Sequence, residues 1–227
     1  MEERCYRNEI KHLISWSAKV ALVNRLDKVL DLDGNAQGKG YLVKSLYFDT
    51  LYDEALKEKL DGQPLREKFR LRCYNDDYSH LKFEKKVKEY RKGYKESCRV
   101  TLEEARRLAA GDLEFIGEGS APLLQEFYAK SRIKLLRPTV TVVYDRRAYA
   151  YRPGNTRVTL DSRIRTSSNW RDFFRKEQAL VPVGMDRCVL EVKFDRYLPD
   201  LVRDLVQVGE TGSAANSKYV LGRMLYA

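Results

Sequence analysis

Histidine and cysteine are both scarce in this sequence of 227 residues, which has two of the first and four of the second. The cysteines lie far apart without a CxxC pair, and neither histidine has the spacing to a cysteine that a zinc site requires. Two histidines also indicate no Ser-His-Asp or Cys-His catalytic set. A structural zinc site and a thioredoxin-type motif are therefore excluded.

Long apolar stretches are also missing. No run approaches the roughly 20 apolar residues of a membrane-spanning helix, and no apolar segment follows the charged start of the chain. We therefore expect a soluble, cytoplasmic protein without a transmembrane segment. The sequence shows no internal repeat and no linker-like tract, which predicts a single domain over residues 1–227.

Charge is abundant, and it is unbalanced. The chain has 43 Lys and Arg against 33 Asp and Glu, a formal net charge of +10, while 43% of its residues are hydrophobic. This apolar content is enough for a folded core without disulfides or metal. The basic excess indicates an anionic partner such as a nucleic acid, a phosphorylated metabolite or a membrane surface.

Alternation of apolar and polar residues predicts a chain rich in β-strands. Eight strands are expected, at 6–13, 41–50, 65–74, 80–88, 94–100, 138–151, 157–164 and 187–194. Five helices are expected between them, at 15–30, 101–110, 120–135, 200–208 and 216–225, the second opened by a capping box at Thr101. The irregular order of strands and helices favours an antiparallel α+β fold over a βαβ repeat.

One face of most predicted strands is charged. Taking every second residue, the charged and polar positions are Arg7, Glu9 and Lys11; Arg66, Lys68, Arg70 and Arg72; Lys82, Glu84, Lys86 and Lys88; Tyr144 and Arg146; Arg157, Thr159 and Asp161; and Glu191 and Lys193. A solvated outer sheet face would explain any single strand. Six such strands, together with five helices that need an apolar face, favour an antiparallel β-barrel with helices outside and a charged lumen. Clustered cations need a counter-charge, so the expected ligand is a compact polyanion such as a chain of phosphates.

Three carboxylates lie among these cations, namely Glu9, Glu84 and Glu191. They could simply form ion pairs with neighbouring lysines and arginines. Alternatively, they could hold Mg²⁺ or Mn²⁺, which take a few carboxylate oxygens and complete their shells with water and phosphate. A metal and a set of basic side chains together would suit phosphoryl transfer.

The charged strands also carry a series of short motifs in a fixed order. They are Arg7-Asn-Glu-Ile-Lys11, Tyr47-Phe-Asp-Thr50, Arg70-Leu-Arg72-Cys-Tyr74, Phe83-Glu84-Lys85-Lys86-Val87-Lys88, Tyr144-Asp-Arg146, Arg157-Val-Thr-Leu-Asp161, Leu190-Glu191-Val-Lys193 and Ser217-Lys218-Tyr219. In this order the motifs resemble the VTC domain, the polyphosphate polymerase domain of the triphosphate tunnel metalloenzyme or CYTH-like superfamily. The resemblance runs over nearly the whole chain.

The resemblance implies a tunnel of about eight antiparallel strands that binds ATP, another triphosphate or inorganic polyphosphate with Mn²⁺ or Mg²⁺. Family members of this type transfer the γ-phosphate of ATP to polyphosphate. The implied phosphate ligands are Lys11, Arg70, Arg72, Lys86, Lys88, Lys95, Arg146, Arg157, Lys193 and Lys218. Glu191 is the implied metal ligand, with Glu9 and Glu84 as further candidates, and catalysis is expected to depend on Lys11, Arg70, Arg72, Lys86, Arg146 and Glu191.

Two positions depart from the pattern of the relatives. Arg7 stands where the hydrolase branch has the first acid of an E-x-E-x-K motif, which favours the polymerase-like branch. Ala215 stands where a further basic residue can precede the S-K-Y motif, so one phosphate contact is expected to be missing. Without the phosphate-sensing and membrane modules of eukaryotic relatives, a stand-alone bacterial form is expected, with a membrane protein as a candidate partner.

Three other functions stay open on the sequence. The chain could transfer the phosphate to water, as an inorganic or organic triphosphatase. It could bind polyphosphate or inositol polyphosphate without turnover. Nucleic-acid binding would require an outward basic patch with stacking aromatics, and the alternation of charge makes it the least expected of these functions.

Overall fold

The computed structural model of this protein describes residues 7–34, 40–90, 92–184, 186–209, 212–213 and 217–226. Ala215 lies outside the described residues, so the expected loss of a phosphate contact there stays a prediction.

The described part of the chain contains eleven strands, eight of which are eight or more residues long. They are β1 (Asn8–Ser15), β2 (Asp31–Leu32), β3 (Tyr41–Asp49), β4 (Leu65–Tyr74), β5 (Asp77–Glu89), β6 (Lys92–Val100), β7 (Arg137–Tyr151), β8 (Thr156–Ser167), β9 (Val181–Pro182), β10 (Arg187–Phe194) and β11 (Gly212–Ser213). The α-helices are α1 (Trp16–Leu26), α2 (Glu54–Leu60), α3 (Leu102–Ala110), α4 (Pro122–Lys134), α5 (Asp200–Leu205) and α6 (Lys218–Arg223). The eight long strands coincide with the eight that alternation predicted.

Helix α2 was not predicted from the sequence. Its first residues follow Asp53, whose backbone is left-handed with φ 56° and whose side chain forms no cap. The capping acceptor is Asp49 instead, which accepts hydrogen bonds from the backbone N–H of Ala55 at 2.9 Å and of Leu56 at 3.1 Å. A cap that lies six residues upstream has no signature in the local sequence, because ordinary N-caps lie two or three residues before the amides they satisfy.

The chain divides into two compact units. The first unit comprises the described residues within Met1–Leu42, Tyr144–Ile164 and Pro182–Asn216, and the second comprises those within Val43–Val143, Arg165–Val181 and Ser217–Ala227. The expectation of one domain over residues 1–227 stays a prediction.

The first unit is an antiparallel sheet in the order β11–β1–β10–β8–β7, with β2 added at β7. Helix α1 begins after Ser15, whose hydroxyl accepts from the Ala18 backbone N–H at 3.2 Å. The helix packs Leu22 against the apolar face of the sheet, where Ile14 and Leu190 are fully buried. The charged residues of β1 and β10 therefore occupy the alternate positions of these strands, on the other face of the sheet, as expected from the alternation.

The second unit is an antiparallel sheet in the order β7–β3–β4–β5–β6. One face packs against α3 and α4 around a cluster of aromatic rings from Phe48, Phe69, Phe83 and Phe127, with ring centroids 4.8–6.0 Å apart. Lys85 also points to this face, and it forms ion pairs there with carboxylates of the neighbouring helix and strand. The charged residues at the alternate positions of β4 and β5 lie on the opposite face of the sheet.

These elements confirm the predicted α+β class with an antiparallel sheet of eight long strands, and helices α1, α3 and α4 pack on its apolar side. In the described residues, no helix has the length and apolar character that would let it cross a bilayer.

The capping box at α3 was predicted, and it is confirmed. The Thr101 hydroxyl accepts from the Glu104 backbone N–H at 3.1 Å, and the Glu104 carboxylate accepts from the Thr101 backbone N–H at 2.7 Å. We expect Thr101→Ala to lower the free energy of unfolding by about 1 kcal/mol, because the cap then loses its side-chain acceptor. Urea unfolding measures this, with Thr101→Ser as the control that keeps the hydroxyl. Equal midpoints for Ala and Ser variants would contradict the role of the cap.

Candidate phosphate and metal site

Two lysines and two glutamates alternate on the neighbouring strands β1 and β10 of the first unit. The register places Glu9 opposite Lys193 and Lys11 opposite Glu191. Lys11 Nζ lies 3.0 Å from Glu191 Oε2 and also contacts the Glu9 carboxylate. Lys193 Nζ lies 2.7 Å from Glu191 Oε1 and 3.9 Å from Glu9 Oε2. We call these four residues the carboxylate cluster.

Burial and neighbouring charges act in opposite directions on the pKa of Lys11 in the carboxylate cluster. The Glu191 side chain is 6% exposed. Burial by itself lowers the pKa of Lys11, but the negative charges of Glu191 and Glu9 outweigh it and hold this pKa well above its usual value. Lys11 is therefore a fixed cation between the two carboxylates.

The carboxylate cluster offers a divalent cation two carboxylates, whose charge two lysines already compensate, and the metal site stays a prediction. Glu9 and Glu191 come close enough to share the same two ammonium groups, so their oxygens converge on one small region. The described residues contain no group of three or more His, Cys, Asp or Glu side chains that could hold a metal. A Mg²⁺ or Mn²⁺ ion at this position would therefore take two carboxylates and complete its shell with water and phosphate oxygens.

Two arginines of the first unit are also held by acids. Arg146 on β7 donates to Asp161 on β8 through Nε at 2.6 Å and Nη2 at 2.7 Å, and Asp161 is fully buried. Burial by itself lowers the pKa of Arg146, but the charge of Asp161 raises it well above its usual value. Arg157 on β8 forms an ion pair with Asp33 and donates through Nη2 to the Tyr41 hydroxyl at 2.9 Å. Both guanidinium groups are therefore oriented by the fold itself.

Glu84 on β5 is the centre of a second group, which lies in the second unit. Arg70 Nε donates to Glu84 Oε2 at 2.7 Å, and Arg72 Nη1 lies 3.6 Å from the same oxygen. Lys95 Nζ donates to Glu84 Oε1 at 2.8 Å. We call these four residues the arginine cluster. One carboxylate that is 1% exposed thus faces three cations from β4 and β6, the two strands that flank its own.

The electrostatics of the arginine cluster are strongly positive. Burial would raise the pKa of Glu84, yet the charges of Arg70, Arg72 and Lys95 hold it well below its usual value. Tyr47 is in direct contact with the arginine cluster, since its hydroxyl accepts a hydrogen bond from Arg70 Nη1 at 3.3 Å. Burial would also raise the pKa of this phenol, but Arg70, Arg72 and Lys218 lower it. A buried phenol with a lowered pKa indicates a positive potential that one carboxylate does not neutralise.

The remaining predicted phosphate ligands, Lys86, Lys88 and Lys218, belong to the same unit as the arginine cluster. Lys86 is opposite Lys95 in the register of β5 and β6, and Lys88 lies two residues further along β5. Lys218 is the first residue of α6, whose N-cap Ser217 accepts from the Val220 backbone N–H at 3.4 Å. The effect of the Lys218 charge on Tyr47 places this lysine near the same region.

Each unit therefore brings together its own share of the predicted site residues. The carboxylate cluster, Arg146 and Arg157 belong to the first unit, while the arginine cluster, Lys86, Lys88 and Lys218 belong to the second. Glu84, one of the three candidate metal ligands, has its oxygens bonded to cations.

Several polar residues without a predicted role position the cations. Asp161 orients Arg146, Tyr47 accepts from Arg70, and the Ser45 hydroxyl accepts from Arg72 Nε at 3.0 Å. All three share the strand parity of the charged residues, which is the signal that could have found them.

Comparison with known proteins identifies the relatives of this chain. The family model of the VTC domain matches residues 6–226. This match confirms the resemblance that the motifs indicated. A search of curated proteins finds no match to the chain.

Two solved structures show the same fold at low sequence identity. The PH1012 protein from Pyrococcus horikoshii OT3 has a TM-score of 0.53 at 13% identity, and the match covers 95% of this chain and 99% of the other. A protein from Bacillus halodurans, described as a candidate adenylate cyclase, has a TM-score of 0.51 at 17% identity, with 82% of this chain and 81% of the other covered. At these identities the likeness concerns the fold alone.

Removing the negative charge of Glu84 tests the electrostatics of the arginine cluster. We expect Glu84→Gln to lower the free energy of unfolding by about 3 to 5 kcal/mol at neutral pH, because the buried guanidinium groups lose their counter-charge. The folded-state pKa of Glu84 is below its unfolded value, so its stabilisation is present above about pH 4.3 and is lost as the pH falls further.

The difference between the two proteins should therefore shrink from pH 5 towards pH 2. Denaturant unfolding at several pH values measures it, with Glu118→Gln in an exposed loop as the control. A difference that does not depend on pH would contradict an ionised, ion-paired Glu84.

Proposed function

The chain belongs to the VTC domain family, and from this premise we propose that it is a phosphotransferase of the polyphosphate polymerase type. In this proposal ATP or another triphosphate is the phosphate donor and inorganic polyphosphate is the acceptor. The reaction takes place in the basic tunnel that the family resemblance implies, with Mn²⁺ or Mg²⁺ as cofactor. Nucleic acid is not a substrate.

The convergence of Arg70, Arg72 and Lys95 on the single carboxylate of Glu84 carries the proposal. It concentrates positive charge on a partly buried sheet face, where Arg70 is held in place by Glu84 and Tyr47, in agreement with the lowered pKa of Tyr47. Arginines in fixed orientation bind phosphate oxygens through paired N–H groups. A chain of phosphates carries dense negative charge of the opposite sign, so the charge of this face supports triphosphate or polyphosphate binding.

The carboxylate cluster supports a metal-assisted reaction. A bound divalent ion would neutralise negative charge on the phosphate oxygens and act as a Lewis acid. Glu191 and Glu9 would hold it, while Lys11 and Lys193, which contact these carboxylates, would donate to phosphate oxygens. Arg146, whose orientation Asp161 determines, would bind a further phosphate oxygen.

Phosphoryl transfer by these residues needs no protein nucleophile. An oxygen of the terminal acceptor phosphate attacks the γ-phosphorus of ATP in line, the bond from that phosphorus to the β–γ bridging oxygen breaks, and ADP leaves. Lysines and arginines position the two phosphate groups and stabilise the charge of the transition state.

Arg70 tests the binding part of the proposal. We expect Arg70→Ala to weaken tripolyphosphate binding roughly 10- to 100-fold, because one or two charge-assisted hydrogen bonds are lost. Calorimetric titration without metal measures this. The control is Arg132→Ala, which removes the same charge from an exposed position on α4 of the same unit. Equal affinities for the two variants would contradict a phosphate-binding role of Arg70.

Glu191 tests the catalytic part. Incubation of the protein with ATP and Mn²⁺, followed by gel separation of the products, should show polyphosphate chains that lengthen with time. We expect Glu191→Ala to abolish this activity while weakening metal-free tripolyphosphate binding far less, because the side chain acts through the metal. Activity of the variant with unchanged dependence on Mn²⁺ would show that Glu191 is not a metal ligand.

The same assay separates the alternatives. Free phosphate without longer chains would identify a triphosphatase. Tight and salt-sensitive tripolyphosphate binding without turnover would identify a module that binds polyphosphate or inositol polyphosphate.

A further inference from the structure

Three lysines stand directly opposite one another on neighbouring strands of the second unit. The register pairs Lys68 on β4 with Lys86 on β5, and Lys86 with Lys95 on β6. Residues paired in this way point to the same side of an antiparallel sheet, and like charges in such positions destabilise the fold. We call these residues the lysine row. It lies two residues from Arg70 and Glu84 along β4 and β5, on the same face.

Lys68 differs from the other two members of the row. Lys95 donates to Glu84, whereas Lys68 has no ion pair with any residue in the part of the chain that the structure describes. Its ammonium group lies 4.3 Å from the centre of the Tyr219 ring. A cation over an aromatic ring is stabilised only modestly, so the charge of Lys68 has no full counterpart in the protein.

Asp49 is the acid that acts on Lys68 through its charge, but its carboxylate is engaged elsewhere. It accepts from the backbone N–H groups of Thr50 at 2.7 Å, Ala55 at 2.9 Å and Leu56 at 3.1 Å, and from the Tyr219 hydroxyl. Asp49 is therefore a cap for α2 rather than a partner for the lysine.

The surroundings of Lys68 favour its neutral form. Burial lowers its pKa, and the positive charges of Lys59 on α2, Arg66 on β4 and Lys86 on β5 lower it further, while Asp49 on β3 raises it. The result is a pKa of about 7. An anion that replaces the missing counter-charge would reverse these effects and favour the protonated form.

Lys68 is connected to the arginine cluster by two aromatic rings. The Tyr219 ring lies under its ammonium group, the rings of Tyr219 and Tyr47 are 5.2 Å apart between centroids, and the Tyr47 hydroxyl accepts from Arg70. Lys68 thus lies beside the face of the sheet that carries the arginine cluster. The proposed reaction assigns it no role.

We propose that Lys68 is a further phosphate-binding residue of this face, and that it takes up one proton from solvent when a triphosphate binds. The inference rests on the proposed function, because the triphosphate is the anion that completes the lysine row. Binding of substrate is then coupled to pH through a residue outside the motifs of the sequence.

Calorimetric titration with tripolyphosphate, without metal, tests this inference. Measurements in two buffers of different ionisation enthalpy give the number of protons taken up, and Lys68→Arg is the matched variant because an arginine stays charged. We expect Lys68→Arg to bind tripolyphosphate and to take up about half a proton less than the unaltered protein at pH 7, and close to one proton less at pH 8.

Loss of the charge should weaken binding. We expect Lys68→Met to lower the affinity about tenfold at pH 6.5, where the lysine is protonated. The control Lys92→Met removes the same charge from an exposed position of opposite parity on β6 and should leave the affinity unchanged. Lys68→Met should also raise the melting temperature of the ligand-free protein below pH 7, because a repulsive charge is removed.

The outcomes separate this inference from the function on which it rests. Equal affinity of Lys68→Met and the unaltered protein, with equal proton uptake in the unaltered protein and Lys68→Arg, would overturn the role of Lys68 alone. Absence of tripolyphosphate binding in the unaltered protein would overturn the proposed function as well. A lowered melting temperature of Lys68→Met with unchanged affinity would identify a structural lysine and overturn the inference.

Discussion

The need for counter-charge among closely spaced cations is the constraint on which the second unit depends. Glu84 is almost fully buried, and it pairs with the cations of Arg70, Arg72 and Lys95. These cations hold the pKa of Glu84 well below its usual value. Three cations against one carboxylate concentrate positive charge on this face, which agrees with the lowered pKa of Tyr47. A fold that holds cations in place without neutralising them is prepared for a polyanion, because the unfavourable charge is relieved only on binding.

The alternation of each strand serves two purposes at once. On β4 and β5, Phe69 and Phe83 build the core with α3 and α4, and the residues between them carry the charges. The core therefore keeps the basic side chains in register, since a shift by one residue would turn every charge into the core. In the first unit, the same principle brings Glu9 and Glu191 next to Lys11 on paired strands.

Much of this arrangement could be predicted. The eight long strands follow from period-2 alternation, the start of α3 follows from its capping box, and the family follows from the order of the motifs. Helix α2 could not be predicted, because its cap is Asp49 on a preceding strand. The roles of Asp161 and Tyr47 were also missed, since a local sequence does not show which arginine lies across a strand pair.

The sequence by itself determined the class of the fold, the parity that carries the charges and the family. The tertiary structure decided how each charge is compensated. Glu84 is surrounded by cations, Glu191 is shared by two lysines, and Lys68 has no ion pair within the described residues, although all three occupy similar places in an alternating pattern. The reason is physical: the charge state of a side chain depends on burial and on neighbours from other strands, and the strand register brings those neighbours together only in the folded chain.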